Sequence, residues 1–133
     1  SGKAMQKFAE MVEFQGGDVT ALNNLDKLPR ADNIYPVKSP ASGYVSAIDA
    51  ESVGRSAMLL GAGRHAKEDS IDPAVGIVLE KKFGDNVQRG ETLAHLHVND
   101  TKMLPEVERI LTMSYKFSEQ LPEKTPLIIE YID

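Results

Sequence analysis

Residues 59–79, LLGAGRHAKEDSIDPAVGIVL, confine the fold more than any other stretch of the chain. A glycine-terminated helix, a loop of alternating charge and an apolar strand follow one another there directly. Gly61 sits where a preceding helix must release the chain, because glycine enters the left-handed conformation of a helix end without a Cβ penalty. Arg64, His65, Lys67, Glu68 and Asp69 then alternate in sign, the pattern of a solvated loop with weak local pairs. Val75 to Leu79 form a β-branched apolar run, and Gly84, Asp85 and Asn86 turn the chain ahead of Val87. A strand and a reversal are expected.

The same reading extends in both directions. Met5, Phe8, Met11 and Val12 recur at helical spacing, and Gly16 with Gly17 stops the pattern, so the chain opens on a short amphipathic helix. Residues 18–33, with two asparagines and a Leu-Pro step, suit a connector with at most one helical turn, and a domain boundary is placed near Ala31. Residues 34–37 and 43–48 read as edge-type strands, since Pro36 and Pro40 cannot donate to a ladder. Asp49 is a plausible N-cap for a helix over 50–60 with Val53, Ala57 and Leu60 on one face. Thr92, Leu93, Leu96 and Val98 continue as strand. Leu104, Val107, Ile110, Leu111 and Phe117 repeat at helical spacing, with Pro105 tolerated in the first turn, and Pro122 and Pro126 precede a last strand over 127–132. Strands and helices mix without a regular βαβ alternation, which predicts an α+β fold with a mixed sheet and about three helices.

With 133 residues there is room for one principal core. Apolar residues at 41% and charged residues at 26% fit a soluble globular chain, and no apolar run is long enough to span a bilayer. A net charge of −5 repels a phosphate backbone, so nucleic acid is not expected as a partner. No cysteine is present, which removes disulfides and thiolate chemistry, and no leader pattern opens the sequence, so a cytoplasmic location is expected.

Several constellations invite a chemical reading. The glycines of GAGR at 61–64 resemble an anion-binding loop, but they follow a helix and would meet its negative end, whereas phosphate loops precede one. His95 and His97, two apart on a strand, point to the same face and could grip a metal at two points, yet no third ligand is near in sequence. Asp69, Asp72 and Asp85 could supply an acid/base pair, although Asp85 more simply serves its turn. Neither GxSxG, HExxH nor a Walker motif occurs. The chain therefore carries no catalytic centre and no metal site that its sequence can specify.

The succession GAGR, KED, ID, AVGIVL, KK, GD, GETLA and a following histidine, running from Gly61 to His97, resembles the C-terminal domain of the pyrimidine nucleoside phosphorylases, relatives of thymidine phosphorylase. Residues 39–45 and 84–93 also resemble half of a biotinyl or lipoyl domain, with Gly43, Gly84 and Gly90 at tight turns. The resemblance implies an α/β-hammerhead with a barrel-sandwich core. It places 1–31 as the terminal helix and linker of an upstream α/β domain and 32–133 as the C-terminal domain. His97 matches a histidine of the family's segment; His65 and His95 do not.

Enzymes of that family cleave uridine or thymidine with phosphate, reversibly, to the base and a pentose 1-phosphate, using no cofactor. Their phosphate loop and base-holding residues lie upstream, in segments absent from this sequence, so no catalytic or substrate-binding residue carries over. The implied role is indirect: a loop of Gly61, Gly63, Arg64, Lys67, Glu68 and Asp69 offered to the cleft that closes during turnover. The implied partners are the upstream domains of the parent chain, phosphate and pyrimidine nucleoside in the full enzyme, and a second copy in a homodimer. The alternative is a stand-alone lipoyl-like carrier or interaction module. A carrier needs a lysine at a hairpin tip, and the corresponding positions near 31–33 hold none.

Overall fold

The computed structural model describes residues 1–64, 66–124, 126, 128, 130 and 132, and it forms two compact units, Ser1–Arg30 and Ala31–Asp133. The first is helical. Its helix α1 spans Lys3–Phe14, and the amides of Gly16 and Gly17 fold back onto the carbonyls of Glu13 and Val12 at 2.9 and 2.8 Å. Gly16 makes that return at φ +77°, the left-handed conformation expected of it. Met5, Phe8, Met11 and Phe14 recur at every third residue of α1, and all four are exposed. A short helix α2, Thr20–Asn23, and a 3-10 turn, Leu25–Lys27, follow. The connector thus holds one turn more than its sequence suggested, because the Asn24 side chain accepts the Asp26 amide at 3.1 Å and starts the second turn.

The second unit is α+β, as expected. Its elements are β1 (Asn33–Lys38), β2 (Gly43–Ile48), α3 (Ala50–Ala57), a π turn (Met58–Ala62), β3 (Gly76–Leu79), β4 (Asn86–Val87), β5 (Thr92–Val98), α4 (Leu104–Ser114) and β6 (Tyr115–Ser118). They make two three-stranded sheets, ordered β1-β5-β3 and β4-β2-β6, and every pairing is antiparallel. β1 is an edge strand, where the missing donor of Pro36 does no harm. β2 corrects the edge-strand expectation: it is the central strand of its sheet, and Pro40 lies ahead of it in a turn. The last strand expected over 127–132 falls on positions of which Leu127, Ile129 and Tyr131 lie outside the described residues.

α3 begins at Asp49, whose carboxylate accepts the Glu51 amide at 3.3 Å and also the Ser52 hydroxyl. These bonds, the Ser52 hydroxyl foremost, hold its acid below the ordinary carboxylate range. Pro105 occupies the first turn of α4. α4 stops at Ser114, whose hydroxyl donates to the Leu111 carbonyl at 2.7 Å, and Phe117 belongs to strand β6 and not to the helix its spacing suggested. Strand pairing wins there: Tyr115 stands opposite Ile48 and Phe117 opposite Val45, with their rings stacked at 6.3 Å.

The core gathers Val37, Val45, Leu60, Val75, Val87, Leu93, Leu96, Val98, Val107 and Leu111, drawn from both sheets, α4, the π turn and the residue ahead of β3. On β5, Ala94, Leu96 and Val98 face inward, and Leu93 is buried as well although it has the opposite parity. A bulge explains it, because Val37 faces Ala94 while the next residue, Lys38, faces Thr92, leaving Leu93 as the extra residue. Among the described residues no helix is long and apolar enough to cross a membrane.

Tyr115 ties the two sheets together. Its hydroxyl lies 3.1 Å from the Lys81 carbonyl and 3.2 Å from the Leu93 carbonyl, and its single proton is shared between them. The residue is 4% exposed. Burial pushes its phenol up to about 12 from the ordinary 10.0. Because the folded chain holds this proton more tightly than the unfolded chain, the stabilisation is complete below pH 10 and is lost as pH rises from there through 12. Urea titrations at stepwise alkaline pH should show that decline, and Tyr115→Phe should remove most of it.

Candidate functional site

The charged loop leaves the C-terminal end of the α3 and π-turn segment. Gly61 turns the chain at φ +102°, and the Asp72 amide donates to the Gly61 carbonyl at 3.0 Å, closing residues 61–72 at their base. Within the loop, the Ala66 amide donates to Asp69 Oδ2 at 2.9 Å and the Asp69 amide to the Ala66 carbonyl at 3.2 Å, so 66–69 form a turn fixed from both ends. Gly63 lies against Met58, where a Cβ would come within 3.2 Å of that side chain. An open hollow of about 300 Å³ sits beneath, lined by Met58, Gly61, Gly63, Asp69, Asp100 and Met103. The acid of Asp100 is held low, first by the Lys102 amide and then by the charge of Lys102.

Arg64, Lys67 and Glu68 are exposed, and their side chains make no ion pair or hydrogen bond among the described residues. Two cations and an anion are therefore presented on a loop whose base is pinned. The loop springs from a helix C-terminus, whose partial charge is negative, so any anion would be met by the side chains and not by a ring of backbone donors. His65 lies outside the described residues.

The histidines and carboxylates have structural surroundings. His95 and His97 share the outer face of β5; His95 Nδ1 lies 3.1 Å from Glu80 Oε1, and His97 stands opposite Ile34 and Gly76. Among the described residues no three potential ligands cluster around a common point. Asp85 accepts the Lys82 amide at 2.7 Å across the Gly84 turn. Asp72 accepts the Ala74 amide at 2.9 Å and the side-chain amide of Asn99 at 2.7 Å. Asn99, Glu80 and Tyr115 were not singled out from the sequence. Asn99 closes a strand and Glu80 opens a turn, positions whose partners lie 27 and 15 residues away.

Such an arrangement defines an α+β domain that presents a charged loop on a pinned base. Residues 44–118 match the family described as Pyrimidine nucleoside phosphorylase C-terminal domain, and the chain belongs to that family. Pyrimidine-nucleoside phosphorylases of Staphylococcus aureus, strains USA300 and COL, are each 46% identical to it over 99 residues, covering 74% of this chain. The chain spans 23% of the length of those relatives.

Proposed function

We propose that this chain is the C-terminal part of a pyrimidine-nucleoside phosphorylase, which cleaves uridine or thymidine with phosphate to the base and a pentose 1-phosphate. The match over residues 44–118 is the observation that carries it. In this reading residues 1–31 end an upstream domain, and the exposed Met5, Phe8 and Met11 are the side chains by which α1 packs on that domain. Residues 32–133 form the domain that carries the loop. The reaction needs anion donors and stabilisation of the departing base, which the upstream domains supply, and the enzyme works as a cytoplasmic homodimer.

Gly61, Gly63, Arg64, Lys67, Glu68 and Asp69 face the cleft. Arg64 and Lys67, unpaired with any described residue, find anionic partners when the domains close, and the loop then helps exclude water from the reacting phosphate. The carrier alternative has no observation in its favour: Lys67 stands in a loop turn and not at the tip of a hairpin.

The test is phosphate-dependent release of uracil or thymine by this chain alone, by its upstream region alone, and by the two joined. Activity is expected only in the joined protein, and a joined, folded protein without activity would overturn the reading. In the active protein, removing both cations with Arg64→Ala and Lys67→Ala should lower kcat/KM by about tenfold or more, measured at fixed ionic strength. An unchanged kcat/KM would remove the loop from the cleft while leaving the enzyme assignment intact.

A further inference from the structure

Asn99 stands at the end of β5, one step beyond the Asn33–Val98 pair that closes the β1–β5 ladder. Its Oδ1 accepts the backbone amide of Asp32 at 2.7 Å, and its Nδ2 donates to Asp72 Oδ2 at 2.7 Å. The other oxygen of Asp72 accepts the Ala74 amide at 2.9 Å, and the Asp72 backbone amide donates to the Gly61 carbonyl at 3.0 Å. The partners fix the orientation of the Asn99 amide: a backbone N–H requires its oxygen and a carboxylate requires its NH2. One side chain thus joins two places far apart in sequence. Asp32 lies next to Ala31, where the second unit begins, and Asp72 closes the base of the charged loop.

We propose that Asn99 is a positioning residue that couples the start of the second unit to the base of the 61–72 loop. A displacement of the chain at Asp32 is passed through the Asn99 amide to Asp72, the far end of the loop, and from there to its near end at Gly61 and to Ala74 just beyond it. The contact between side chains 99 and 72 needs one donor and one acceptor, and either residue can supply either, so its direction can be inverted. In Asn99→Asp the new carboxylate still accepts from Asp32 but faces the carboxylate of Asp72. In Asp72→Asn the new amide still accepts from Ala74 but turns its NH2 toward that of Asn99. With both substitutions together, Asn at 72 donates to Asp at 99, so the bond between the two side chains is restored with its direction reversed, while the Asp32 and Ala74 amides still donate to residues 99 and 72 as before. Aspartate and asparagine have nearly the same shape, so packing is unchanged throughout.

Amide exchange of this 133-residue chain, followed residue by residue, is the first readout and does not depend on turnover. Each single variant should raise exchange at Asp72 and Ala74 by about fivefold, the consequence of one lost hydrogen bond, while the helix α4 amides stay unchanged. The double variant should return exchange to that of the parent. Singles without effect, or a double variant no better than the worse single, would overturn the coupling; a single that fails to fold is judged by the double, which must fold. The second readout rests on the phosphorylase reading and uses the joined protein: kcat/KM should fall in the singles and recover in the double. If exchange follows the swap while turnover ignores it, the coupling stands and the cleft role of the loop falls. If the joined protein shows no phosphorolysis at all, the exchange result still decides the coupling.

Discussion

Leu96→Ala is expected to lower the unfolding free energy by about 2–5 kcal/mol, the cost of a cavity in a core that relaxes only in part. Leu96 is fully buried on the central strand of its sheet, with Tyr35 opposite it on β1 and Ile77 on β3, and both of those pack against the core. Domains of this size have total stabilities of about 5–15 kcal/mol, so the substitution removes a large share. The contrast lies on the neighbouring strand of the same sheet. Val78 on β3 is 49% exposed, and Val78→Ala should change stability by no more than about 0.5 kcal/mol. Urea titration of both variants reads the difference as a shift in midpoint with an unchanged slope. Equal effects at the two sites would mean that the inner and outer faces of β1-β5-β3 are wrongly assigned.

Most of the fold was legible because its signals are local. Gly16, Gly61, Gly84 and Gly90 were read as turns or helix ends, and each has a positive φ. Asp49, Pro105 and the run over 75–79 were legible for the same reason: a cap, a first-turn proline and a β-branched strand each state their conformation within a few residues, and the strand itself begins one residue later, at Gly76. What escaped was set by partners remote in sequence. Phe117 fell on a helical repeat by its spacing, but the pairing of β6 with β2, some 70 residues earlier, turned it into strand. β2 looked like an edge because of Pro40, and only the arrival of β4 and β6 on its two sides makes it central.

The candidate site divides in the same way. The glycines and mixed charges of 61–69 are a local pattern, so the loop could be located from sequence alone. Its base could not, since Asn99 reaches Asp72 and Asp32 across 27 and 67 residues. Asp72 shows why distances matter: beside Asp69 and Asp85 in the sequence it suggests paired acids, whereas each of the three spends an oxygen on a nearby backbone amide.

Gly43→Ala should destabilise the protein by roughly 2–4 kcal/mol, for two reasons that act together. The residue has φ +142°, a conformation L side chains rarely adopt, and a Cβ there would lie 2.6 Å from the Ser118 carbonyl oxygen. That oxygen is backbone, so the contact cannot be relieved by rotating a side chain; β2 and β6 would have to separate at their paired ends, Tyr44 and Ser118. Gly54→Ala is the matching control. It lies inside α3 with open space around it, and there alanine should stabilise by about 0.5–1 kcal/mol, since the unfolded chain loses freedom and the helix gains a better former. Thermal unfolding of the two variants should therefore move in opposite directions. The consequence reaches the loop, because β2 runs directly into the Asp49 cap and α3, and α3 delivers the chain through the π turn to Gly61. A separation of β2 from β6 shifts the mount of the loop, so amide exchange at Asp72 should rise in Gly43→Ala and stay at its parent value in Gly54→Ala. If Gly43→Ala melts with the parent, the close approach of β2 to β6 is wrong, and the loop's mount must be sought elsewhere.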